Sequence, residues 1–316
     1  MTTAQGPQEE PISDEADVAR LIVNDRPSVF LSASVPAPRK FPAEIKADER
    51  DANARYLATL NAPLIRAAVA AFAREAVRRD LRIVFGAHPA ISPMLLTALR
   101  DADKGQILIF QSDFFRGKFP KSTQALAEWS RGRLLVTKPQ KSSAAPPGAS
   151  PELEEWLDRK ASLTFMRKCM VKVSGLEAAV VIGGMDGAEE EAALFTQYNP
   201  AARCYAYGGS GSAALELLKS SPGTYSGGVS LDILSDDLSP SLVMREIFAD
   251  FAPTRGSVIA LTICVQFHEA RYDMPLTAAT ATCRASISAF AGIATSRTNR
   301  AASLRASGVT SSNSTP

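Results

Sequence analysis

The chain is poor in the residues that hold metals and disulfides. Its four cysteines, Cys169, Cys204, Cys264 and Cys283, lie far apart and form no Cys-x-x-Cys pair. That excludes a zinc ribbon and a thioredoxin-type redox pair, and the four read as reduced, mostly buried thiols. The two histidines, His88 and His268, are too few and too separated for a His-rich centre, so neither a metal nor a cofactor is expected. Charge of one sign is also missing: 35 Lys and Arg against 33 Asp and Glu supply no broad field toward nucleic acid or an anionic membrane. Any anion must therefore be recognised locally. The longest apolar run near the C-terminus, residues 258–265, is far short of the roughly 20 residues that span a bilayer. No repeat of fixed period is present. The acidic N-terminal segment lacks the basic and apolar regions of a secretory signal, so a cytoplasmic location is expected and residues 1–24 read as a flexible leader.

What is present is enough apolar residue, 46% of the chain, to build a sizeable core. Short β-rich runs alternate with longer helical patterns, the signal of βαβ units. The fold class this implies is α/β: a Rossmann-like open, mainly parallel sheet with helices on both faces. Strands are expected over residues 29–33, 82–85, 106–111, 134–137, 178–182 and 203–207. After a Pro-rich loop, Asn61 can cap a helix whose Leu64, Ala68, Val69, Phe72 and Ala76 recur at helical spacing. Ser92-Pro93 supplies a cap and a first-turn proline for another. Further helices are expected over 151–174, 188–198 and 213–219, with a loop over 138–150. The domain so defined covers residues 25–220. Residues 221–293 add a strand or a helix of uncertain structure, and 294–316, rich in Ser, Thr and Ala without periodicity, read as a disordered tail.

In an open α/β sheet, ligands sit where loops leave the carboxyl ends of the strands, because helix N-termini there present free N–H groups and partial positive charge. Four such loops stand out. One carries Ser32 and Ser34; a second, Gly86-Ala87-His88-Pro89, offers His88 as a donor to phosphate or ribose. The third runs from Gly183 and Gly184 to Gly187, and the fourth contains Gly209, Ser210 and Gly211. Glycines permit close backbone approach to an anion, although each loop taken alone reads equally well as a tight turn. Arg167 shares a helix face with Leu163 and Met170, so it either meets an anion or snorkels to water. The run Glu189-Glu190-Glu191 either complements a helix dipole or supplies a working carboxylate, for which Glu191 is the candidate.

The segments Phe165 to Met170 and Gly183 to Glu191 together resemble the SLOG superfamily, which includes the Lonely Guy type, lysine decarboxylase-like phosphoribohydrolases. The resemblance covers roughly residues 29–218. In those hydrolases an Arg-Lys pair on one helix and a Pro-Gly-Gly-x-Gly-Thr-x-x-Glu turn form the nucleotide site. Arg167, Lys168, Gly183, Gly184, Gly187 and Glu191 fall on matching positions. Ile182 stands in place of the proline, Asp186 lengthens the turn by one residue, and Ala188 replaces the threonine. The chain looks more like a SLOG subgroup associated with bacterial conflict and nucleotide-signalling systems. The resemblance implies a sensor of a nucleotide or NAD-derived signal that reports to a second copy of itself or to a separate effector protein. The alternative it implies is a nucleoside 5′-monophosphate phosphoribohydrolase with Glu191 and Arg167 as catalytic groups. A DNA-binding role, known from another branch, is disfavoured by the balanced charge.

Overall fold

The computed structural model describes residues 9–22, 26–99, 106–118, 120–129, 132–235 and 239–251. The chain divides after Thr254, and all of these residues lie before that point. Among them, seven strands form one sheet: β1 (Glu9–Ile12), β2 (Ser28–Ser34), β3 (Arg82–Phe85), β4 (Ile107–Ser112), β5 (Arg133–Thr137), β6 (Leu176–Gly183) and β7 (Arg203–Tyr207). Their order is β1-β5-β4-β3-β2-β6-β7, and every pairing is parallel. β3 and β4 are buried at every residue, as the apolar runs Ile83 to Phe85 and Ile107 to Phe110 require when helices cover both faces, while the polar Arg82 lies at the amino end of β3 and Gln111 and Ser112 at the carboxyl end of β4.

The chain steps from β2 through β3 and β4 to β5, then crosses back over β2 to β6 and β7. The direction of winding thus reverses between β2 and β6, and a crevice opens at their carboxyl ends. Right-handed crossovers put α3 (Ala62–Arg78), α4 (Ser92–Ala98) and α5 (Lys121–Trp129) on one face. α6 (Pro151–Val171) and α7 (Asp186–Tyr198) cover the other. α3 starts as its sequence dictates: the Leu64 N–H donates to the Asn61 side chain at 3.2 Å, and a proline occupies the first turn. α8 (Ser212–Ser220) follows β7.

Several expectations need correction. Residues 9–22 are no leader, since β1 pairs with β5 at the sheet edge and Ile12, Val18 and Ile22 are at most 1% exposed. α1 (Ala16–Leu21) carries Val18 into that core. The Pro-rich loop contains α2 (Ala47–Ala58), whose mostly polar surface gave no stripe to read. Ser92 does not cap α4 but begins it, donating from Oγ to the His88 carbonyl at 3.2 Å and sharing a buried hydrogen bond with Thr123. The domain also continues past residue 220 through the short helices α9 (Pro222–Tyr225) and α10 (Leu231–Leu234) to α11 (Pro240–Ile247). α11 packs on α3, with the Phe72 and Phe248 rings 5.5 Å apart and Val243, Met244 and Ile247 buried.

Cys169 and Cys204 are buried free thiols that burial pushes up to about 12. Cys264, Cys283, His268, the remainder of the 221–293 extension and the 294–316 tail lie outside the described residues. No helix among the described residues is long and apolar enough to cross a membrane.

Candidate functional site

A cleft of about 490 Å³ opens at the carboxyl ends of β2, β3, β4 and β6. β2 contributes Ser32 and Ser34, the β3–α4 turn contributes Gly86 and His88, and β4 contributes Gln111. Met185, Gly187, Ala188 and Glu191 come from the start of α7. α6 forms the opposite wall with Arg159, Leu163 and Arg167, and the irregular segment after β2 adds Arg39. Seven of the residues singled out from sequence therefore meet here: Ser32, Ser34, Gly86, His88, Gly187, Arg167 and Glu191.

Three guanidinium groups face this space, and the acidic start of α7 holds two of them. Arg39 pairs with Asp186 at 2.7 Å. Arg167, 15% exposed, donates from Nη1 to Glu190 at 2.5 Å and from Nε to Glu191 at 3.4 Å. Thr164 holds the other Glu190 oxygen at 2.5 Å. Arg159 has no hydrogen-bonded carboxylate among the described residues; its guanidinium lies over Phe115 and Trp156, 5.9 Å from each ring centre. Burial and the positive charge of Arg39 both pull Arg159 below its usual value, with Asp186 opposing and Arg167 adding to the effect. Repulsion among fixed cations is what an incoming anion relieves.

The titratable groups in and beside the cleft are tuned in opposite ways. Burial holds Glu191 above the usual carboxylate range, even though Arg167 attracts it and the Ser32 hydroxyl donates to it at 2.6 Å. Burial opposes charge on Asp186 too, but there the Arg39 guanidinium and the Gly187 amide prevail and hold the carboxyl below its ordinary value. Burial, helped by Arg39, lowers His88 to about 4. The Ala90 N–H donates to His88 Nδ1 at 3.3 Å, which puts the proton of the neutral ring on Nε2 and leaves that nitrogen as a donor.

The remaining predicted residues serve the frame. Gly183 (φ +62) and Gly184 (φ +91) take the turn out of β6, and a Cβ on Gly184 would collide with that of Ala188. Ser210 is fully buried, accepting from the Gly183 N–H at 2.8 Å and donating to the Tyr207 carbonyl at 2.6 Å. A Cβ on Gly211 would strike the Thr59 carbonyl, so the end of α2 caps the β7 loop where an open anion site was expected. Gly209 and Lys168 do not line the cleft. Conversely, Arg39, Arg159, Gln111 and Phe115 line it without having been read from sequence. Arg159 was legible, since Arg159, Leu163 and Arg167 recur four residues apart on one helix face. Arg39 lies in irregular chain, where no periodicity exists to mark it.

Fold and site together define a Rossmann-like α/β domain with an arginine-lined cleft at its topological switch point. The SLOG cluster3 family model matches residues 55–137 and 153–233, more than half of the chain. The chain belongs to that family, and hence to the SLOG superfamily. Searches of curated proteins and of solved structures returned no match.

Proposed function

We propose that this SLOG domain binds a phosphorylated, nucleotide-derived small molecule in the switch-point cleft and acts as a sensor in a signalling or defence system. The observation that carries the reading is the positive charge gathered in one cleft, with Arg39 and Arg167 at the start of α7 and Arg159, two turns earlier on α6, adding to it. Guanidinium groups match phosphate geometry with charge-assisted, forked hydrogen bonds. The start of α7 adds a helix dipole at the same place. Occupancy would rearrange the Asp186, Glu190 and Glu191 ion pairs, and a second copy or a separate effector would read that change.

A second reading, cleavage of an N-glycosidic bond, is favoured by one observation: Glu191 is buried, shifted upward and oriented by Ser32 beside Arg167. In that reaction water adds to C1′ as the C1′–N bond breaks, and the base leaves with a proton. Incubation with nucleotides and NAD derivatives, followed by mass spectrometry of the retained ligand and of the supernatant, separates the two. Retention without free base supports the sensor. Sustained release of free base that disappears in Glu191→Gln overturns it in favour of the hydrolase, and a result with neither retention of a phosphorylated compound nor release of free base overturns both.

A further inference from the structure

We infer that the β4 end of the cleft is a nucleobase subsite, in which the Gln111 carboxamide reads the edge of the base while Phe115 and Arg159 flank its face. The inference rests on the nucleotide reading above and adds to it the part of the ligand that carries specificity. Gln111 lies near the carboxyl end of β4, lines the cleft and is 8% exposed. Its Oε1 is buried and has no hydrogen-bond partner among the described residues. An unpaired acceptor withdrawn from water is unfavourable unless something supplies the missing N–H.

A carboxamide presents a donor beside an acceptor. The edges of nucleobases carry the complementary pair, as in the two-point contact between glutamine and adenine. The neighbours of Gln111 suit the flat face of such a ring. Phe115, from the 3-10 turn Asp113–Lys118 that follows β4, offers an aromatic surface, and the planar Arg159 group lies 5.9 Å from its centre. Aromatic rings and guanidinium planes are the two surfaces on which bases stack.

The spacing fits a ligand with two unlike ends. Gly187 and Arg167 lie at the β6 side, and β6, β2, β3 and β4 are successive neighbours. Three strand spacings separate the two ends by about 14 Å. A phosphate held at the α7 end leaves the β4 end for the base, and a bare sugar phosphate would leave Gln111 unpaired.

The test is binding of AMP, GMP, CMP and ribose 5-phosphate to the full chain and to Gln111→Leu, with thermal melting of each. Leucine has similar bulk and no polar atom to strand, so the variant is expected to fold as stably as the parent; Phe115→Leu is the second variant should it not. At least one nucleotide is expected to bind about tenfold or more tightly than ribose 5-phosphate, and either variant is expected to abolish that advantage. If ribose 5-phosphate binds as well as every nucleotide, or the advantage survives in the folded variants, the base subsite is wrong and the phosphate site stands. If none of the four probes binds, the nucleotide reading falls and this inference with it.

Discussion

At the scale of single residues, His88 and Glu191 give the cleft opposite responses to pH. His88 is held down to about 4 against an ordinary 6.5. The unfolded chain takes up a proton below 6.5 that the folded chain refuses until about 4, so the His88 contribution to stability is present above 6.5 and is lost as pH falls through that window. The loss is at most about 3 kcal/mol by linkage. His88→Gln should flatten the dependence of the melting temperature on pH between 6.5 and 4, and an unchanged slope would show that another group is responsible. Glu191 works the other way. Its folded value is raised, so its contribution is present below 4.5 and is lost as pH rises above that. Glu191→Gln keeps the shape without the buried charge, and should raise the melting temperature at pH 8 while changing it little at pH 4. Destabilisation at pH 8 would mean that the Arg167 pair outweighs burial.

At the scale of elements, two glycines of one turn should respond differently to the same substitution. Gly184 holds φ +91 and abuts Ala188, so Gly184→Ala strains the backbone where α7 leaves β6 and is expected to destabilise by about 1–3 kcal/mol. Gly187 sits in the first turn of α7 without a positive φ, and an added Cβ meets only the far end of the Arg167 side chain. Gly187→Ala should therefore leave stability within about 1 kcal/mol, helped by alanine's helix propensity, while lowering the affinity for phosphorylated ligands by displacing Arg167. Urea melts beside binding isotherms distinguish the two, and equal loss of stability in both would remove Gly187 from the site.

The same turn shows how far sequence alone reaches. β3 and β7 are read residue for residue, because in each an arginine is followed by a buried apolar or aromatic run closed by a glycine turn. The places of Ser32 and His88 follow from the rule that ligand loops leave the carboxyl ends of strands, and that of Arg167 from the face it shares with Leu163 on α6. The Gly208–Gly211 loop obeys the same rule in sequence, yet α2 covers it, with the Ser212 N–H donating to Thr59 Oγ1 at 2.9 Å and the Ser212 hydroxyl to the Tyr56 carbonyl at 2.8 Å. That contact joins residues more than 150 positions apart, and α2 is a mostly polar helix whose one buried side chain of note is Tyr56. Nothing local to Gly211 announces it.

At the scale of the whole molecule, the sheet edge decides whether the N-terminal segment can be dispensed with. Its acidic composition argues for a solvated leader, but the burial of Ile12, Val18 and Ile22 argues the reverse. β1 lies parallel to β5 with Ile12 opposite Thr137, and Glu10 holds Arg133 of β5 in a part-buried ion pair. The Arg133 group also donates to the Leu21 carbonyl at 2.7 Å, so one β5 residue fastens both ends of the segment. Each fully buried aliphatic side chain contributes roughly 1.5–3 kcal/mol, and the β1–β5 ladder and the Arg133 contacts add to that. Deletion of residues 1–22 also uncovers the hydrogen-bonding edge of β5, a template for pairing with other chains. The truncated chain should unfold at lower urea concentration and should sediment partly as higher oligomers, whereas deletion of residues 1–8 alone spares β1 and should leave both measurements unchanged. Equal stability of the full chain and the chain lacking residues 1–22 would show that β1 rests on the sheet without contributing to it.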